Sequence, residues 1–389
     1  MSAPRPLRTR GGIVLTRRSM LGRMGVLAGA GLVGPTVLAA CGDDDSSGGG
    51  DGGDSNALWH DNWTGYMDEE TIGLFTEESG IDLKYTELFD NYESFAKYQA
   101  DLAAKRNIGP DIITPSSWLA ARLIGLGWLA ELPLDDIPNA SNLVPDLQNP
   151  DFDPEGKYSL PYQSGMTGIA YNIAQTGREL TSMADLFDPE FKGRVGMLTE
   201  MRDTVGLTML LTGNDPSKAG LTMDDADEAF NMIDEANQSG QIRAFTGNDY
   251  MDDLATGNYA ACIGWSGDIS QLALDNPDLK FAIPEHGGMR WFDTMVIPAG
   301  AQNVANAAVW MNYLYDPENA ARIEAYIGYN PPVDGVREAF AANPEWEAYT
   351  ESNLIFPDQA TLDQLVVFAN LDEDTEAEFD ERFAEITGL

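Results

Sequence analysis

The chain has 389 residues, with 23 Lys and Arg against 63 Asp and Glu, a formal charge of −40. So acidic a chain lacks the basic surface that holds nucleic acid. With 43% hydrophobic residues it has the composition of a globular protein and too little apolar sequence for a multi-span membrane protein.

The first forty residues carry Arg5, Arg8, Arg10, Arg17, Arg18 and Arg23 and no acidic residue. A mildly apolar stretch follows from Met24 to Ala40, interrupted by Gly25, Gly29, Gly31, Gly34 and Pro35. Glycine and proline make it a poor permanent span, so residues 1–40 read as an export signal. Thr16-Arg17-Arg18-Ser19-Met20-Leu21 resembles the twin-arginine motif, and Leu38-Ala39-Ala40-Cys41 resembles a lipobox. Cys41 is therefore expected to be lipidated, anchoring the chain to the outer face of the cytoplasmic membrane. Residues 41–56 are rich in Gly, Asp and Ser and read as a flexible acidic tether. Loss of the six leader arginines leaves 17 basic residues against 63 acidic ones, a net charge of −46. That field favours cations and keeps the protein soluble. Cys262, alone once Cys41 is lipidated, has no disulfide partner and reads as a small buried hydrophobe.

From Ala57 the chain alternates short strands and helices. Ala57–Trp59 and Ile81–Tyr85 read as strands, Met67–Ser79 as a helix stopped by Gly80, and Tyr92–Ala104 as a helix capped by Asn91. Asp111–Thr114 reads as a buried strand and Ser117–Ile124 as a helix. This βαβα order predicts an α/β domain with a largely parallel sheet. A second unit runs from about Ser164 to Trp291. It has strands at Val195–Leu198 and Tyr259–Trp265, and helices at Asp203–Leu211 and Met223–Asn237. A strand at Met295–Pro298 follows, with helices at Val304–Leu314 and Pro317–Tyr326, and Thr361–Thr387 is acidic and mostly helical. The divisions expected are 57–163 for the first part of one unit, 164–293 for a second unit, 294–350 for the return to the first, and 351–389 packing on both.

A set of motifs then falls in order along the chain. Asn62-Trp63-Thr64-Gly65-Tyr66 comes first, then Gly109-Pro110-Asp111 through Pro115-Ser116-Ser117-Trp118. Tyr158–Tyr162, Gly165–Asn172, Pro189–Gly193, Gly287–Asp293 and Ile327-Gly328-Tyr329 follow. Together they resemble the spermidine/putrescine-binding protein family. That resemblance implies an α/β fold of two-lobed type II periplasmic-binding architecture, two chain crossings between the lobes, and a ligand cleft between them. It implies a binding component of an ABC importer that captures a polyamine or related amine and has no cofactor. Its partners would be a transmembrane permease and a separate ATPase, and the protein itself would be a monomer.

The family's aromatic box maps onto Trp63, Tyr66, Trp118, Trp265, Trp291 and Tyr329. Aromatic faces cover methylenes and attract ammonium groups. Thr64 and Ser116 fall beside the implied ligand, and Asp293 matches a carboxylate that holds an amine. Gly65 stands where relatives have Glu, and Met201 and Thr204 stand where two acids are placed. Asp203 is one residue off and is the substitute expected, with Glu200 a second candidate; Phe368 stands where Gln is expected. A binding protein of the same fold for an amino acid derivative, a quaternary ammonium compound or another zwitterion is the alternative. A secreted hydrolase is remote: His60 and His286 lie in no metal-binding spacing, and nucleophile-elbow and Walker motifs are absent from the sequence.

Overall fold

The computed structural model describes residues 56–388; the export signal, Cys41 and the tether as far as Ser55 lie outside the described residues. Strands β1 (Ala57–Asp61), β2 (Asp82–Thr86) and β3 (Ile112–Ile113) pair in parallel. Helix α1 (Glu69–Ser79) links β1 to β2, α2 (Asn91–Ala103) links β2 to β3, and α3 (Ser117–Gly125) follows β3. Local chemistry sets the ends. The Asp68 carboxylate accepts from the Thr71 N–H, and Gly80 closes α1 with φ 71°. Asp90, one residue before the Asn91 expected, caps α2 by accepting from the Tyr92 and Glu93 amides.

The chain then runs through β4 (Ser159–Asn172), fourteen residues buried throughout. Beyond it come β5 (Val195–Leu198), α4 (Met201–Thr212), α5 (Met223–Ser239), β6 (Ile242–Thr246), β7 (Ala261–Trp265), α6 (Ser266–Asp275) and β8 (Leu279–Ala282). Strand β9 (Gly288–Val296) returns, and α7 (Val304–Leu314), α8 (Pro317–Ile327), β10 (Leu365–Val366) and α9 (Glu373–Thr387) complete the described chain. The strand order is β2-β1-β3-β9-β4-β7-β5-β6, with β10 on β9 and β8 on β4. The first α/β group is parallel as expected, and the sheet as a whole is mixed. β4 and β9 are antiparallel to each other, and β9 to β3 and β4 to β7 likewise, because both long strands run across from one α/β group to the other.

Two main cores sit on either side of this crossing. One gathers Leu58, Phe75, Ile112, Trp310 and Phe340; the other gathers Phe191, Val205, Phe230, Ile263 and Phe379. Cys262 is fully buried in the second. The chain passes between the cores three times, not the two expected: along β4, along β9, and again between Ile355 in the first core and Phe368 in the second. The third passage has a plain cause. Acidic α9 carries an apolar stripe of Phe379, Phe383 and Ile386, and each such side chain buried is worth about 1.5–3 kcal/mol. The stripe packs on α5, with the Phe379 and Phe230 rings 5.3 Å apart. Among the described residues no helix is long and apolar enough to cross a membrane.

Candidate functional site

The chemistry collects where parallel strands end and helices begin. In both α/β groups this edge faces the crossing strands, the place where open α/β sheets bind ligands. From the first group come the turn after β1, with Trp63 and Tyr66, and Ser116 at the start of α3. From the second come Asp203 in the first turn of α4, after β5, and Asp268 in the first turn of α6, after β7. A helix N-terminus suits a carboxylate. β9 contributes Trp291 and Asp293.

Asp293 is 5% exposed. Its Oδ2 accepts from the Tyr66 hydroxyl at 2.9 Å and its Oδ1 from Ser116 Oγ at 2.7 Å. Asn91 fixes Ser116 on both sides: its Nδ2 donates to Ser116 Oγ and its Oδ1 accepts from the Ser116 amide, each at 3.1 Å. Burial pushes the Asp293 carboxyl up to about 7; the Ser116 and Tyr66 hydrogen bonds oppose this, and the charge of Asp203 adds to it. Asp203 is equally buried. It accepts from Trp265 Nε1 and from Thr167 Oγ1, both at 2.8 Å, and burial raises it to about 6 against those two bonds and Arg202. No ion pair reaches Asp203 or Asp293 among the described residues, so neutral donors hold two carboxylates near enough to repel each other.

A third carboxylate escaped the sequence reading. Asp268 is 1% exposed and accepts from the Tyr250 and Tyr329 hydroxyls, both at 3.0 Å. The Tyr250 oxygen also accepts from the Trp265 amide at 3.0 Å, which ties Asp268 to the Trp265 wall. The signal was present in the sequence: an acid in the first turn of a helix that follows a buried strand, the same pattern that singles out Asp203.

Aromatic rings connect these acids, Tyr66 bonded to Asp293 and Tyr329 to Asp268. The Tyr329 ring stands 5.4 Å from Tyr66 and 5.3 Å from Trp291, edge to face in both cases. Two glycines make this packing possible. A Cβ on Gly267 would lie 2.5 Å from the Tyr329 ring, and one on Gly165 would lie 2.2 Å from Trp291, its cross-strand neighbour. Gly65 has φ 72°, a left-handed conformation that any side chain would strain.

The remaining expected residues are placed as follows. Trp63 is half-buried against Phe89 and donates from Nε1 to the Thr114 carbonyl at 2.8 Å. Thr64 is exposed and donates to the Glu87 carbonyl at 3.3 Å, so the structure does not bring it to the carboxylates. Trp118 lies beside Tyr92, with the Arg202 guanidinium 3.9 Å above its ring. That face is covered by a cation of the chain itself, where an open wall of the box was expected. Thr204 donates to the Leu198 carbonyl, and Met201 and Phe368 pack in the second core, so none of the three is grouped with the acids. Glu200 is half-buried, and its carboxyl rises to about 8 through burial, offset in part by Arg202.

Residues 71–353 match the family model described as bacterial extracellular solute-binding protein. The chain belongs to that family. It is 30% identical over 298 residues to spermidine/putrescine-binding periplasmic protein 1 of Haemophilus influenzae, covering 76% of this chain and 79% of that one. It is 28% identical to the spermidine/putrescine-binding periplasmic protein of Escherichia coli K12, over 79% of this chain and 85% of the relative. The solved spermidine/putrescine ABC transporter substrate-binding protein of Streptococcus pneumoniae superposes with a TM-score of 0.70 at 26% identity, over 85% of this chain and 98% of that one. Family members of this kind share the two-lobed architecture seen here.

Proposed function

We propose that the protein is the solute-capturing component of an ABC importer, and that its solute is a small organic amine of the polyamine class. The observation that carries this reading is the pair Asp203 and Asp293. They come from different parts of the fold, are both desolvated, and are held by neutral donors, and the charge of Asp203 raises the proton affinity of Asp293. Such a pair is relieved by a cation placed between them. Asp268 adds a third acceptor, and Tyr66, Trp265, Trp291 and Tyr329 supply faces for methylenes and ammonium groups. In this role the protein is not an enzyme and returns its solute unchanged. It works outside the cytoplasmic membrane, as a monomer anchored through lipidated Cys41, and hands the solute to a permease served by a separate ATPase. Residues 57–163 and 294–350 form one lobe and 164–293 the other, with 351–389 spanning both, and the lobes close over the solute.

A second reading has one observation in its favour. Trp291 Nε1 is buried with no hydrogen-bond partner among the described residues, which suits a solute that also bears an acceptor oxygen, such as an amino acid derivative. Calorimetry separates the two, using putrescine, spermidine, a monoamine, a quaternary ammonium carboxylate and a neutral sugar. Tight binding of the amines supports the first reading; tight binding of the sugar with none of the amines refutes it.

A further inference from the structure

Next to the three acids lies a second cluster, centred on a cation that the chain provides. The Arg202 guanidinium stacks 3.9 Å from the Trp118 ring centroid, and its Nη2 donates to Glu376 Oε1 at 3.1 Å. The two charged side chains are 8% and 10% exposed. Tyr92 completes the enclosure, its ring 5.3 Å from Trp118 and its hydroxyl 3.5 Å from Arg202 Nη1. A cation on an aromatic face, paired with a buried carboxylate, is the same recognition chemistry that the acids offer a solute amine. The two clusters share their chain neighbours. Asn91 and Tyr92 adjoin, Ser116 and Trp118 are two residues apart, and Arg202 precedes Asp203.

We propose that Arg202 is the residue that limits the solute's length: it fills the aromatic and carboxylate position beyond Asp203, so the protein takes amines with one or two charges and rejects those with three. This rests on the amine reading above and narrows it. A diamine is short enough to pair with Asp203 and Asp293 alone. The longer triamine reaches past Asp203 toward Arg202, whose like charge repels its terminal ammonium. Trp118 and Glu376 complement that third ammonium but are already engaged. The sequence signals an extended aromatic wall at Trp118, and the tertiary structure closes it with an arginine.

The test is calorimetry with putrescine and spermidine on the intact mature protein and on Arg202→Ala. The parent binds putrescine at least about tenfold more tightly than spermidine, and the variant shifts that ratio toward spermidine by about tenfold or more. A structural role alone would weaken both ligands together and leave the ratio unmoved. The double variant R202A/E376Q removes both members of the buried pair; it should bind putrescine and show a smaller shift, because the acceptor is gone. If the parent binds spermidine as well as it binds putrescine, the inference is overturned whatever the variants do. An unchanged ratio in a folded Arg202→Ala overturns it as well. Either result leaves the amine reading standing, whereas a parent that binds no amine removes both.

Discussion

Amine binding should weaken steeply as pH falls below 7, although the ligand keeps its charge. Burial, the Ser116 and Tyr66 bonds and the charge of Asp203 leave the Asp293 carboxyl at about 7, and burial leaves Asp203 at about 6. A solute ammonium needs both ionised, while the amine itself, with a pKa of about 10, stays protonated across the range. Protons therefore compete with the solute. Relative to pH 8, affinity should fall about 20-fold at pH 6 and about 1,000-fold at pH 5, with Asp293 responsible for the first part of the decline. Titration calorimetry between pH 5 and 8, repeated in buffers of different ionisation enthalpy, measures both the affinity and the protons released. The Asp293→Asn variant should lose the portion centred near pH 7. An affinity that is flat from pH 8 to 5 would refute the argument that two desolvated acids hold the solute. The same shifts affect the free protein in a defined direction. Between about pH 4 and pH 7 the folded state binds protons that the unfolded chain has released, so the contribution of these acids to stability is fully present below pH 4 and lost as pH rises through 7. Without solute the melting temperature should therefore decline over that window, and saturating amine should restore it at pH 7 and above.

Three further outcomes can be checked. Asp293→Asn at pH 8 should weaken amine binding ten- to a hundred-fold, since a hydrogen bond to a charged group is worth about 1.5–3 kcal/mol, and calorimetry reads it directly. Asp268→Asn, which keeps the side chain's size and one acceptor oxygen for the tyrosine hydroxyls but deletes the charge, should weaken the same ligands by about tenfold or more; an unchanged dissociation constant would place Asp268 in the scaffold. Changing Cys41 to Ala should move the protein from the membrane to the soluble fraction on cell fractionation, and unaltered membrane association would remove the lipid anchor.

Much of the fold is legible locally. Alternating strands and helices, Gly80 after Ser79, and acids at helix starts place most elements within a few residues of where they stand, because capping and periodicity act over a single turn. Motif resemblance singled out the aromatic residues and Asp293, and the structure brings Tyr66, Trp265, Trp291 and Tyr329 together with three carboxylates. Other features depend on contacts between residues far apart in the chain. Whether Asp203 stands beside Trp265 and Thr167 is decided by β5 and β7 lying side by side, which brings the starts of α4 and α6 together. The third crossing follows from a stripe on α9 that finds its partner on α5, well over a hundred residues earlier. Trp118 is the sharpest case. By itself the indole is an open platform for a cation. Only packing of α4 and α9 against α2 and α3 determines that the cation on it is Arg202, because stacking and ion pairing depend on distance in space and not on spacing along the chain.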